Sequence, residues 1–249
     1  MLDGRSRGGD PGAAPAAPDR YRGYREWKGW APAAAIDAGA EADAFAGELA
    51  GIPLAGRDVL EIGFGRGAFL AWAAGRDARV CGLERDESLV ADARGAGFEA
   101  HCVDLSGLPA GRQFDLIVAI DVLEHVPIET LLDWFARMPA LLRPGGCLVA
   151  RFPNGQSPLG QIFQHGDLTH VTTLSPGIAR QLAVVGGLEV TRIANSHRPR
   201  GTGLRRLAQI ARDVGRDGLE VLLARLYGFP RMPLDPNVTV VWTRLREVR

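Results

Sequence analysis

The amino-acid sequence predicts an α/β fold built around a parallel sheet, and two observations lead to this. From Asp58 onward, short apolar runs alternate with stretches of helical periodicity, which is typical of successive βαβ units. The first apolar run ends in a turn with glycine at every second position, Gly63, Gly65 and Gly67. Such a turn joins a buried strand to a helix whose N-terminus faces a ligand.

The N-terminal fifth of the chain is expected to lie outside the sheet. Residues 1–19 are dominated by Gly, Pro, Ala, Arg and Asp, a composition that predicts a disordered tail. Residues 20–50 contain four aromatic side chains between Tyr21 and Trp30, which we expect to dock onto the domain, and then a helix from about Ala34 to Ala50. That helix is either a cap packed on the sheet or a lid over the ligand.

Residues 51–249 form the predicted main domain, and seven of its segments have the pattern of strands. They are Asp58 to Ile62, Arg79 to Glu84, Glu99 to Val103, Phe114 to Ile120, Gly146 to Phe152, Leu188 to Ala194 and Asn237 to Arg244.

A segment at 195–236 separates the last two strands, which would ordinarily form a hairpin. Its leucines have helical spacing, which predicts two amphipathic helices broken near Gly215 to Gly218. Eight arginines against three acidic residues between 196 and 232 give this insertion a local net charge of +5.

The composition excludes several classes of function. The whole chain carries 29 basic and 29 acidic residues among 249, so it lacks the basic footprint of a nucleic-acid-binding protein. Three cysteines, Cys81, Cys102 and Cys147, without a C-x-x-C pair indicate buried, reduced thiols rather than disulfides or zinc. No apolar run is long enough for a signal peptide or a membrane span, so a cytoplasmic protein is expected.

The glycine turn by its spacing suits two kinds of ligand. Gly63, Gly65 and Ala68 also satisfy the dinucleotide pattern. Glu61 distinguishes them, because a carboxylate so close would repel a pyrophosphate but attract an ammonium or sulfonium group. S-adenosylmethionine carries both of these cations.

Further acids follow the next three strands. Glu84 closes the second strand about twenty residues after the turn, where a carboxylate can accept ribose hydroxyls; otherwise it is a solvated acid before a helix. Asp104 either accepts from an adenine amino group or caps the segment after it. Asp121, Glu124 and His125 follow the fourth strand, near the sulfonium or the substrate, although the last two could equally cap a helix.

The order and spacing of these motifs resemble those of class I S-adenosylmethionine-dependent methyltransferases. The resemblance covers roughly Arg57 to Asn195 and the final strand. It implies a Rossmann-like sheet of seven strands with the last antiparallel, helices on both faces and a helical insertion before the last strand. It also implies S-adenosyl-L-methionine as cofactor, held at its methionyl, ribose and adenine parts by Glu61, Gly63, Gly65, Gly67, Glu84 and Asp104.

A second resemblance concerns the loop after the fifth strand. Pro153 to Pro158, His165 to His170 and Ser175-Pro176 are similar to bacterial methyltransferases associated with surface-polysaccharide synthesis. Thr169-His170 with the following Ser-Pro also resembles the loop of ubiquinone-pathway O-methyltransferases. The acceptor expected from the first likeness is a sugar hydroxyl in a glycan or glycolipid precursor. The alternatives are a quinone or phenolic acceptor, or a noncatalytic binding module.

The same loop supplies the candidate catalytic residues His170, His165 and Asp167. A histidine can take the proton that an alcohol acceptor loses, and Asp167 could orient it. The three could instead bind a divalent metal or hold the loop together; the prediction is catalysis without a metal.

The arginine-rich insertion predicts peripheral contact with an anionic membrane through 196–232, at the inner face, or a clamp on a phosphorylated lipid-linked acceptor. The alternative is a lid packed by its leucines with solvated arginines. The sequence leaves the oligomeric state open.

Overall fold

The computed structural model describes residues 20–29, 36, 38–109, 111–198 and 201–246. The tail predicted at 1–19 and Trp30 lie outside these residues. Two compact units divide the chain, Met1–Ala31 and Pro32–Arg249.

The first unit contains one helical turn, α1 (Tyr24–Trp27). The rings of Tyr21 and Tyr24 meet edge to face at 5.4 Å, and the Lys28 ammonium lies 4.6 Å from the Trp27 ring centroid. The aromatic side chains of this segment therefore contact one another, while its docking onto the sheet stays a prediction.

The second unit is built on a seven-stranded sheet, which confirms the predicted fold class. The strands are β1 (Asp58–Ile62), β2 (Arg79–Leu83), β3 (Glu99–His101), β4 (Phe114–Ile120), β5 (Leu142–Pro153), β6 (Glu189–Asn195) and β7 (Asn237–Thr243). Their order is β3-β2-β1-β4-β5-β7-β6. Strand β7 runs antiparallel to both of its neighbours, and the remaining pairs are parallel.

Helices cover both faces of this sheet. The helices are α2 (Ala42–Glu48), α3 (Ala68–Ala74), α4 (Glu87–Gly95), α5 (Ile128–Leu141), α6 (Gln161–Gln164), α7 (Pro176–Gly186) and α8 (Gly203–Tyr227). Alternation along β4 explains the layers, since Ile117 joins the core formed with α5 and α7 while Leu116 joins the core formed with α2 and α3. None of the helices in the described ranges is long and apolar enough to cross a bilayer.

Strands β1 and β4 begin and end as predicted, and β2, β6 and β7 differ by at most one residue at either end, whereas three other elements differ more. Strand β3 stops at His101 because the chain then turns into a 3-10 helix (Leu105–Gly107) capped by Asp104. Strand β5 begins four residues early because Leu142 pairs with Phe114 before a shift in register. The N-terminal cap helix ends at Glu48 and follows a 3-10 turn (Gly39–Glu41), while residues 34, 35 and 37 of the predicted helix lie outside the described residues.

The cysteines depart partly from the expected burial. Cys81 is buried and Cys147 is partly buried, and burial raises the pKa of their thiols to about 12 and about 11. Cys102 is exposed, so the prediction of a buried thiol is wrong there, because β3 ends one residue before it.

The helical structure of the insertion between β6 and β7 also differs from the prediction. It forms one continuous helix, α8, rather than two helices broken near Gly215 and Gly218. Neither glycine adopts a positive φ. A glycine inside a helix costs only about 1 kcal/mol relative to alanine, which the rest of a 25-residue helix offsets.

Candidate active site

The glycine turn between β1 and α3 has the backbone that the sequence predicts. Gly63 and Gly67 have φ of 68° and 76°, in the left-handed region that favours glycine. Neighbouring side chains also leave no room for a Cβ. A Cβ on Gly63 would lie 2.7 Å from Val122 Cγ2, and one on Gly67 would lie 2.9 Å from Ile36 Cγ2.

Two segments therefore enclose the turn. Val122 follows β4 and places the Asp121 to Val126 stretch beside the turn. Ile36 precedes α2 and covers the N-terminal end of α3. Helix α2 itself packs through Phe45 on Phe69 of α3, with ring centroids 5.4 Å apart. Within the second unit, α2 thus packs on α3 and Ile36 covers part of the turn.

Glu84 reaches back to the turn from the end of β2. The Gly65 backbone N–H donates to its Oε2 at 2.9 Å, and the Arg85 N–H donates to its Oε1 at 2.7 Å. Each carboxylate oxygen can accept more than one hydrogen bond. The carboxylate is thus held beside the glycine turn and keeps acceptor capacity, while its contact with ribose hydroxyls stays a prediction.

Glu61 lies beneath the turn and is only 5% exposed. Its Oε2 atom has no hydrogen-bond partner within the described part of the chain. Burial raises the pKa of Glu61 well above its ordinary value, the charges of Glu84 and Glu41 raise it further, and a backbone hydrogen bond with Leu70 lowers it. A buried acid near other acids favours a cationic ligand, because a positive charge offsets the cost of ionising it.

Asp104 is exposed and caps the 3-10 helix that follows β3, where it accepts a hydrogen bond from Ser106 N at 2.8 Å. The capping alternative is therefore present in the structure. A role for Asp104 beside an adenine stays a prediction.

Asp121 follows β4 with a φ of 55°, in the left-handed region where Asp is one of the few non-glycine residues found. Its carboxylate pairs through both oxygens with the Arg151 guanidinium at the end of β5, with Nε 2.9 Å from Oδ1. Desolvation lowers the pKa of Arg151, but the charge and hydrogen bond of Asp121 together with the charges of Glu48 and Glu124 outweigh it, so that the net shift is upward. The Asp121 carboxylate is thus paired with Arg151 within the protein, and direct contact between Asp121 and the donor stays a prediction.

A group of acids and histidines lies next to this pair, and we call Glu124, His125, Asp167 and His170 the acid–histidine cluster. The rings of His125 and His170 meet edge to face with centroids 4.7 Å apart. His170 Nε2 lies 3.9 Å from Glu124 Oε1 and 3.7 Å from Asp167 Oδ2. Its side chain is 8% exposed, and Nδ1 has no hydrogen-bond partner among the described residues.

Hydrogen bonds hold the cluster in place. The Val171 and Thr172 N–H groups donate to the Glu124 carbonyl at 2.9 and 3.0 Å. Asp167 accepts from Thr169 N at 2.9 Å, and His125 Nδ1 lies 3.2 Å from the Thr169 carbonyl oxygen. The loop after β5 is thus fixed to the segment after β4, and the sequence-predicted Asp167 and His170 are brought to Glu124 and His125.

His165 is not part of this cluster. It is exposed at the end of α6, and its Nε2 lies 2.8 Å from Gln161 Oε1 of the same helical turn. Of the two candidate histidines, His170 is therefore the one that carboxylates surround.

The cluster also has the composition of a cation site. The nearest ligand atoms of Glu124, His125 and His170 all lie within 4.8 Å of one another. One carboxylate and two imidazoles suit a divalent transition metal, so that the metal-free prediction needs a direct test.

The sequence analysis missed two residues of the site. Arg151 lies at the carboxyl end of β5, on the edge where ligands bind, and its position in the strand pattern could have identified it. Ile36 lies far from the glycine turn along the chain, and the residue pattern contains no signal for that contact.

The groups at the turn fit one kind of donor. The Gly63 and Gly67 cradle admits a ligand against the backbone, Glu84 presents acceptors for ribose hydroxyls, and Glu61 offers an unpaired buried oxygen to an ammonium. With the strand order of the sheet, these features are compatible with the class I S-adenosylmethionine-dependent methyltransferases that the motifs resemble.

The comparisons agree with this class. A family model described as a methyltransferase domain matches residues 59–146, which include the glycine turn, Glu84, Asp104 and the cluster's Glu124 and His125. The chain is an S-adenosylmethionine-dependent methyltransferase, and S-adenosyl-L-methionine is its methyl donor. The alternative of a noncatalytic binding module is thereby set aside.

Curated relatives and solved structures are also similar to the chain, with modest sequence identity. A ubiquinone biosynthesis O-methyltransferase of Coxiella burnetii is 27% identical over 59% of this chain and 69% of its own. One of Nitrobacter winogradskyi is 33% identical over 39% of each chain. A methyltransferase structure from Archaeoglobus fulgidus has a TM-score of 0.56 at 19% identity, covering 77% of this chain and 88% of the other, which shows the shared fold.

Proposed function

We propose that the protein transfers the methyl group to a hydroxyl of a small-molecule acceptor and that His170 removes the hydroxyl proton. One observation carries this proposal. His170 is enclosed by two carboxylates on its Nε2 side, while Nδ1 is without a partner among the described residues and lies in the loop after β5. An imidazole arranged in this way can accept a proton at Nδ1 while nearby carboxylates stabilise the resulting cation.

When bound, S-adenosylmethionine supplies an electrophilic methyl group on a sulfonium leaving group. In this proposal the protein's residues hold and align the reactants. The glycine turn, Glu61 and Glu84 hold the donor. The acid–histidine cluster positions the acceptor hydroxyl and takes its proton, and the cover over the turn excludes water.

For the acceptor we propose a phenolic or quinol-type small molecule. What supports this choice is the naming of the relatives as ubiquinone biosynthesis O-methyltransferases, together with the Thr169-His170 loop. The glycan or glycolipid acceptor predicted from the loop motif has no support from these relatives. A sugar is therefore the competing acceptor in the experiment described next.

Acceptor profiling with radiolabelled S-adenosylmethionine tests the proposal. We expect methylation of catechol-type acceptors and none of sugars. His170→Ala should lower kcat by about 10²- to 10⁴-fold, and His165→Ala, the matched control, should leave it unchanged. Transfer to sugars alone would contradict the proposed acceptor.

The pH dependence distinguishes a base from a structural role. An acceptor that is already ionised needs no base, so the defect of His170→Ala should shrink as the pH rises through the pKa of the phenol. A defect of constant size across that range would remove His170 from proton transfer.

For the location we propose a cytoplasmic enzyme that meets an anionic membrane surface peripherally. The local net charge of +5 between 196 and 232 supports this contact.

A further inference from the structure

Helix α8 is amphipathic in the opposite sense to the other helices of the unit. A helix on a soluble domain normally turns its apolar side toward the core and its polar side toward water. In α8 the one buried residue is an acid, Glu220, which is 3% exposed. Most of its large apolar residues are exposed instead, while Val221 and Leu223 are partly buried.

Polar contacts attach the inner side of α8 to the domain. Glu220 Oε1 accepts from Asn195 Nδ2 at 2.8 Å and from Leu234 N at 2.9 Å, and Glu220 Oε2 accepts from Arg231 Nε at 3.0 Å. Seven residues earlier, on the same side, Asp213 pairs with Arg198 at 2.7 Å. The acids of the helix thus face inward, where arginines of the flanking segments neutralise them.

The outer side of α8 carries a strip of exposed apolar side chains, which Arg225 interrupts near the C-terminal end of the helix. Its large members, which we call the outer strip, are Leu204, Leu207, Val214, Leu222 and Leu226. Their spacing keeps them on one side over nearly the whole helix, whose 25 residues span about 37 Å. Leu204 is 84% exposed. The alternative of a lid packed by its leucines is therefore wrong.

Arginines border this strip. Arg205, Arg212 and Arg216 are exposed, and their spacing of seven and four residues places them along one flank. An apolar strip with a cationic flank is the pattern of helices that lie in a membrane interface.

We propose that α8 docks on an anionic lipid bilayer, with the outer strip inserted among the acyl chains and Arg205, Arg212 and Arg216 against the lipid phosphates. This deepens the peripheral contact proposed above and rests on the helix geometry rather than on methyl transfer. Charge selects the bilayer over a second copy of the chain. Two insertions of +5 would repel each other across a symmetric interface, whereas an anionic surface complements them.

Vesicle flotation of the full chain tests the docking without donor or acceptor. We expect the protein to float with vesicles of equal parts phosphatidylglycerol and phosphatidylcholine, and to remain at the bottom with pure phosphatidylcholine. Recovery that is equal with both vesicles, or absent with both, would overturn the proposal.

Two sets of variants test the two components of the surface. Leu207→Ser/Leu222→Ser should weaken partitioning into the anionic vesicles by about 100-fold. The matched control, Leu132→Ser/Val184→Ser, removes exposed apolar side chains from α5 and α7 and should leave partitioning unchanged. Unchanged partitioning of the α8 variant would refute insertion of the strip.

The second set of variants tests the contribution of the positively charged flanking arginines. Arg205→Gln/Arg212→Gln/Arg216→Gln should also weaken partitioning by about 100-fold, while Arg137→Gln on α5 should not. Calorimetric S-adenosylmethionine binding by each variant verifies that it is folded, because none of these residues lies in the donor site. If sedimentation shows a dimer that Leu207→Ser/Leu222→Ser converts to a monomer, the strip is an interface between copies and the proposal is overturned.

Discussion

Replacement of Glu61 with glutamine tests how the donor pocket recognises a cation. Glu61 is buried with one unpaired oxygen, and burial raises its pKa well above the ordinary value of a glutamate. A cationic ligand favours the ionised carboxylate, so donor binding should release a proton from Glu61. Glutamine keeps the shape of the side chain but can neither ionise nor release that proton.

The size of the effect follows from the contact that is lost. A hydrogen bond to a charged group contributes about 1.5–3 kcal/mol. Loss of the ionised carboxylate should therefore weaken S-adenosylmethionine binding by about 10- to 150-fold. Glu129→Gln, at an exposed position on α5, is the matched control and should bind as the wild type does.

Calorimetry in buffers of different ionisation enthalpy measures both quantities. The wild type should release up to one proton per donor bound, and Glu61→Gln should release none from this position. An unchanged dissociation constant in Glu61→Gln, together with no proton release by the wild type at any pH where it is folded, would refute the assignment of Glu61.

The same group makes stability depend on pH. Because the folded pKa of Glu61 lies above its unfolded value, the folded state binds more protons between the two. The contribution of Glu61 to the free energy of unfolding is therefore fully present below the unfolded pKa of about 4.3, and is lost as the pH rises through the folded pKa. The slope contributed by this one group is at most about 1.4 kcal/mol per pH unit. Urea unfolding should show a weaker decline in ligand-free Glu61→Gln than in the wild type; identical profiles would contradict this origin.

Further outcomes follow from the site and from α8. Glu84→Ala should weaken S-adenosylmethionine binding at least about 10-fold, measured by calorimetry, because the ribose acceptor and its bonds to the turn are lost together; unchanged affinity would contradict that role. Turnover should persist after dialysis against EDTA if the acid–histidine cluster acts as a base, and a loss restored by one divalent metal would instead assign it as a metal site. Glu220→Ala should raise amide hydrogen exchange throughout α8 while β4 and β5 stay protected, because three hydrogen bonds that hold the helix are removed. Protection of α8 equal to that of the wild type would show that other contacts hold it.

Much of the sheet could be predicted because its signals are local. Strands such as β4 are continuous apolar runs that end in polar residues, and the glycine turn marks the end of β1. The extra residues of β5 were missed because Leu142 joins the sheet through pairing with Phe114, beyond a shift in register. Pairing partners and register shifts depend on tertiary contacts, which a single strand's pattern does not contain.

Helix α8 shows a different limit of the sequence pattern. Periodic leucines predict an amphipathic helix correctly, but they do not indicate which side faces the domain. Glu220 determines the orientation, since its partners Asn195, Arg231 and Leu234 come from segments on both sides of the helix. The two central glycines predict a break in the helix, but the structure has one continuous helix across them.

Tertiary contacts, which the sequence pattern does not contain, distinguish the two candidate catalytic histidines. His165 and His170 lie in one loop and have the same chemistry. Only His170 reaches Glu124 and His125, because backbone hydrogen bonds from Val171 to the Glu124 carbonyl bring the end of the loop to the segment after β4.

A crystal structure with S-adenosylhomocysteine tests the central claim most directly, because it locates the sulfur atom that carries the methyl group in the donor. We predict the amino acid end of the ligand at Glu61 and the glycine turn, its ribose hydroxyls on Glu84, and its sulfur directed toward the acid–histidine cluster, with His170 nearer than His165. A ligand bound away from the glycine turn, or a sulfur directed away from that cluster, would contradict the account.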